Sequence, residues 1–163
     1  MKFIGAILLI TAATGTGLYF SERLRARCNA AREIILMCEL IEIEMQFNLN
    51  CIGDIFEKIV RTADFKCLSF IRKMDKTKPF YTAFCNALDQ STAYIDRRDR
   101  ASLKQLAAFL GSTDVQTQLS YLGAYKASMH KRLSYYEAEE KRLAKLYVAF
   151  GLFGGCAAVV IFL

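Results

Sequence analysis

Residues that could do chemistry are present in this chain, but their spacing works against it. The cysteines are Cys28, Cys38, Cys51, Cys67, Cys85 and Cys156. Their even number would suit disulfides, yet the intervals are wide and irregular and no C-x-x-C pair occurs. With one histidine, His130, the sequence offers no zinc quartet. Most of the cysteines read as small core residues, and His130 as a surface or stalk residue of a long helix. Glu39, Glu42 and Glu44 could pair carboxylates for acid–base work, but acids this dense on a helix form a solvated face. Glu42 stands apart because it interrupts an apolar line, and Glu140 does the same further on. Each is either an edge position or a polar contact that fixes how two helices meet. There is no phosphate-cradling glycine loop, no G-x-G-x-x-G and no H-E-x-x-H. No catalytic residue, metal, cofactor or small-molecule substrate is expected.

The elements that would position these residues are helices. The chain is 54% hydrophobic with a net charge of +6, one proline and nine glycines. The charges are unevenly spread: none lies from Phe3 to Phe20 or from Leu146 to Leu163. Each run is 18 residues, roughly 27 Å as a helix and close to the thickness of a bilayer core. The expected organisation is therefore a transmembrane helix over 1–20, a cytosolic helical domain over 21–145 and a second transmembrane helix over 146–163. Lys2 before an apolar run also resembles the start of a signal peptide. No small-x-small cleavage site follows, however, and Arg23, Arg25, Arg27 and Arg32 oppose translocation. Lys131, Arg132, Lys141, Arg142 and Lys145 flank the second run, so the positive-inside rule puts the domain in the cytosol and both termini across the membrane. The basic residues are interleaved with acids and lie near the expected spans, which suits lipid headgroups and not nucleic acid.

Within 21–145 the periodicity predicts an all-α bundle of about six helices, the first and last long and continuous with the spans. Leu24, Cys28, Ala31, Ile35, Cys38 and Met45 give the first helix one apolar face, running to about Phe47. Ile52 to Val60 is a short second helix. Asp64 is expected to cap a third that points Phe65, Leu68, Ile71 and Met74 inward. Pro79 suits the first turn of a fourth, and Arg97, Arg98, Asp99 and Arg100 read as a solvated cluster before a fifth. Gly111 should close that helix, and Ser112-Thr113-Asp114 should cap the last. In the second uncharged run Gly151 and Gly155 form a small-residue strip for close helix packing, and Ala13 and Gly17 repeat that spacing in the first.

Three local motifs, in order, resemble the stage III sporulation protein AB family of endospore-forming Firmicutes. The first is Glu42-Ile43-Glu44-Met45 before a polar turn and a short helix. The second runs from Leu110-Gly111 through Asp114 to Gln118, like the family's L-G-x-x-D-x-x-x-Q element. The third is Lys145-Leu146-Tyr147 leading to Gly151 and Gly154-Gly155. The family often has Thr-Pro in the turn after the first motif, where Asn50-Cys51-Ile52 stands here. The resemblance implies a non-enzymatic platform component of a secretion-like channel complex between mother cell and forespore, seated in the outer forespore membrane. It also implies a cytosolic domain similar to that of the type II secretion inner-membrane platform protein. The implied partners are other stage III sporulation proteins, including a secretion-type ATPase. A membrane-anchored helical regulator or sensor that binds a soluble signalling protein is the alternative reading.

Overall fold

The computed structural model describes the backbone of residues 2–47 and 51–162, and side chains within 22–47, 51–143 and at 146. Among the described residues five α-helices appear in order: α1 (Lys2–Phe47), α2 (Ile52–Thr62), α3 (Phe80–Asp89), α4 (Arg97–Phe109) and α5 (Val115–Phe162). A 3-10 helix, Ser69–Lys73, lies between α2 and α3. No strand occurs among the described residues.

Among the described residues no helix is long and apolar enough to cross a membrane. This overturns the two spans expected over 1–20 and 146–163. The uncharged runs are not separate apolar helices, because each is the end of a helix of 46 or 48 residues. The described side chains of those helices include Glu22, Arg23, Arg25 and Arg27 in α1 and Lys141 and Arg142 in α5. A charge of that kind costs about 3 kcal/mol at the centre of a membrane helix. Apart from the exposed Leu146, the side chains of the runs themselves fall outside the described residues.

The chain forms two compact units, one of Met1–Ala26 with Ser134–Leu163 and one of Arg27–Leu133. In the first, Arg25 Nε donates to Glu140 Oε1 at 3.1 Å and links α1 to α5. Among the described residues the second unit, the bundle, carries most of the apolar core. α1 contributes Ile34, Met37, Cys38 and Ile41, and α5 contributes Leu122 and Met129, all essentially inaccessible. Ile59, Phe65, Leu68, Phe84, Leu88, Leu103 and Leu106 are equally deep. Burial of each such side chain contributes about 1.5–3 kcal/mol.

Three local expectations are corrected here. The third helix is a single 3-10 turn, and Asp64 does not cap it but accepts from Arg72 at 2.7 Å. The N–H groups at its start are taken instead by Glu33 of α1. Pro79 is the residue before α3, not within its first turn, and its carbonyl accepts from Ala83 N at 3.0 Å. The cluster at 97–100 is not simply solvated. Asp99 is 3% exposed and accepts from Arg132 of α5. Arg100 donates to the carbonyls of Leu88 at 2.6 Å, Ser91 at 3.1 Å and Ala93 at 3.0 Å. Those carbonyls lie at and just beyond the end of α3, and the donors of one planar guanidinium reach all three. Arg97 and Arg98 are exposed.

Candidate functional site

The second motif builds the corner between α4 and α5. α4 ends at Phe109, and Leu110 (φ −67°, ψ 121°) with Gly111 (φ 82°) forms a type II turn. Ser112 N closes it by donating to Phe109 O at 3.2 Å. Gln118 then ties both sides of the corner: its Oε1 accepts from Gly111 N at 2.9 Å, and its Nε2 donates to Thr113 O. This satisfies a side-chain amide that is only 6% exposed. Asp114 Oδ2 accepts from Thr117 N at 2.9 Å in the capping position. Leu110 is buried. A Cβ on Gly111 would stand 3.3 Å from Ile52 Cγ2, so the start of α2 closes against this corner.

The acids of the first motif brace the same helices. Glu42 accepts from Lys126 of α5, and Glu44 accepts from Lys58 of α2 at 2.8 Å. The structure thus joins Glu42, Glu44, Leu110, Gly111, Asp114 and Gln118 to contacts among α1, α2, α4 and α5. Gly151, Gly155, Ala13 and Gly17 lie on helical backbone, and what surrounds them falls outside the described residues.

Burial pushes the Cys38 thiol up to about 12, so it stays protonated and is no nucleophile at neutral pH. Burial likewise raises Tyr125, whose enclosed hydroxyl has no hydrogen-bond partner among the described residues. Cys28 and Cys38 are buried, Cys67 and Cys85 are half-buried and Cys51 is exposed, so the reading of most cysteines as core holds for Cys28 and Cys38 and is corrected for the other three described. Cys156 lies outside the described side chains. His130 is exposed. Among the described residues no cluster of three His, Cys, Asp or Glu could hold a metal ion.

One feature of α1 was missed by sequence reasoning, although the signal for it was there. Leu36, Leu40, Ile43 and Phe47 recur at intervals of four, three and four and share one face. That face lies opposite the core line of Ile34, Cys38, Ile41 and Met45. Leu36 is 41% exposed, Ile43 49% and Phe47 79%, while Leu40 is half-buried. A helix that is apolar on two opposite faces is normally covered on both. The described side chains cover only one, and a row of this kind marks an interaction surface.

No curated protein and no solved structure matches the chain. A family model described as stage III sporulation protein AB matches residues 2–163. That match takes in the braced motifs, the corner and the outward row of α1, and by it the chain belongs to the stage III sporulation protein AB family.

Proposed function

We propose that this chain is a non-enzymatic scaffold of the sporulation complex between mother cell and forespore, and that the outward row of α1 docks a secretion-type ATPase on the mother-cell side. Family membership gives the sporulation role and suggests sporulation complex proteins as partners. The observation that carries the docking reading is the second apolar face of α1, at Leu36, Leu40, Ile43 and Phe47. Burying such a row against a partner removes several large side chains from water, each contributing about 1.5–3 kcal/mol before the costs of association. The bundle behind it is braced by Glu42–Lys126 and Glu44–Lys58, which suits a surface that must keep its shape.

The test is the Ile43→Asp/Phe47→Asp double variant of the full chain in sporulating cells. Both side chains are exposed, so the fold should persist, while co-purification of the ATPase and spore yield should both collapse. Wild-type capture of the ATPase by this variant would remove the docking role.

A further inference from the structure

The start of α4 carries charge that the fold does not use. Arg97 and Arg98 are exposed, and among the described residues neither guanidinium has an ion pair or hydrogen bond. Their neighbours in the chain are committed. Asp96 pairs with Arg27 of α1 at 3.5 Å, Asp99 with Arg132 of α5, and Arg100 with the carbonyls at the end of α3. The run from 96 to 100 thus divides into three side chains that fasten the helix and two that leave a positive charge in solvent.

The same contacts fix where those two arginines stand. Arg27 is the first residue of the bundle in α1, and Arg132 is the last but one in α5. The start of α4 therefore lies at the end of the bundle where both long helices leave it. Each of those helices goes on to an 18-residue run without charge. Tyr94, in the segment leading to α4, is 47% exposed.

An acidic protein segment would satisfy the arginines but not the uncharged runs that follow from the same end of the bundle. The surface of an anionic bilayer suits both. Lipid phosphates accept charge-assisted hydrogen bonds from guanidinium, and an amphipathic tyrosine is favoured at headgroup level. A basic patch joined to an apolar segment is the two-signal arrangement that holds proteins on membranes. We propose that the start of α4 rests on an anionic bilayer surface, with Arg97 and Arg98 on lipid phosphates and Tyr94 among the headgroups. The contact needs no helix to cross the bilayer, and it does not depend on docking at the outward row of α1.

The chain has no tryptophan, so Tyr94→Trp gives the full chain a single fluorescent reporter at this place. That protein is added to phosphatidylcholine vesicles with and without phosphatidylglycerol, both containing lipid brominated high in its acyl chains. The two are compared at lipid concentrations where all of the protein sediments. Quenching should be strong on the anionic vesicles, weak on the neutral ones, and relieved as salt rises. Arg97→Glu/Arg98→Glu should bring it down to the neutral level with melting unchanged, because acids suit the start of a helix. In a titration, Arg98→Ala alone should raise the anionic lipid needed for half-maximal quenching about fivefold. Equal quenching on both vesicles would mean that the apolar runs alone bring the chain to lipid, and would overturn the proposal. So would quenching that neither arginine variant reduces, or no quenching at all.

Discussion

The connection from α2 to α3 and the corner from α4 to α5 both redirect the chain between helices, and different kinds of contact hold them. At the corner the hydrogen bonds are local. Gln118 reaches Gly111 and Thr113, and Asp114 reaches Thr117, over at most seven residues. The α2–α3 connection is held from far away. Glu33 of α1 accepts from Lys66 N at 3.1 Å, from Cys67 N at 2.8 Å and from Leu68 N at 2.9 Å, across 33 to 35 residues. Local ties form with the helices they cap. A distant tie forms only when the bundle closes, and it then substitutes for the cap that the segment's own residues do not supply.

The largest effect in this comparison should come from Glu33→Ala. It strips the acceptor from three backbone N–H groups, two of them part-buried. Hydrogen bonds to a charged group are worth about 1.5–3 kcal/mol each when one partner is lost. Because these bonds share one carboxylate, a total of about 3 kcal/mol is expected in chemical denaturation. Hydrogen exchange at Cys67 and Leu68 should rise first, and Glu33→Gln, which keeps one carbonyl oxygen, should lose less. If exchange at those amides is unchanged in Glu33→Ala, the connection is held by its own residues and the contrast with the corner collapses.

The same contrast explains what the sequence disclosed. The corner was legible because Gly111, Asp114 and Gln118 carry their instructions in type and spacing, and the core line of α1 was legible from its period. Asp64 misled because it stands where a cap would, while the residue that serves the turn lies on another helix. The cluster at 97–100 misled similarly. Asp99 and Arg100 look solvated until Arg132 and the end of α3 are packed beside them, and only the fold sets those distances. The outward row of α1 was overlooked for another reason. Leu36, Leu40, Ile43 and Phe47 have helical spacing, but spacing alone does not tell a covered face from an open one, and only their exposure separates the row from the core line. The uncharged end runs have the length of spans, but each is the end of a longer helix that also carries charges.

A smaller loss is expected at Gly111. At φ 82° an L side chain is strained, and a Cβ would press on Ile52 Cγ2 at 3.3 Å. Gly111→Ala should cost about 1–2 kcal/mol. Shortening Ile52 tests how much of that is crowding rather than backbone strain. In the Ile52→Val background the crowding share should shrink and the strain share remain. A Gly111→Ala protein that melts with the wild type would mean that the left-handed turn is dispensable, and the corner would lose its claim to be locally determined.

The smallest and most specific effect concerns Asp114, whose carboxyl is held below its usual range by the hydroxyl and backbone N–H of Thr117. A depressed folded value stabilises the protein only while the group is ionised. The contribution is complete above the unfolded value near 3.8 and disappears as pH falls through the lower folded value. Asp114→Asn keeps an oxygen that can accept from Thr117 but cannot ionise, and it also removes a negative charge from the start of α5. At neutral pH the variant should therefore melt a few degrees below wild type, a change smaller than that of Gly111→Ala. On acidification the two melting curves should converge, because a protonated Asp114 carboxyl and the amide that replaces it no longer differ in charge. Calorimetric scans of both proteins at matched ionic strength, from neutral pH down to about pH 3, measure that convergence directly. A gap that stays constant across the range would mean that the Asp114 charge does not act through the cap. The corner would then rest on Gly111 and Gln118 alone, still local, but with one fewer tie to set against the distant carboxylate of Glu33.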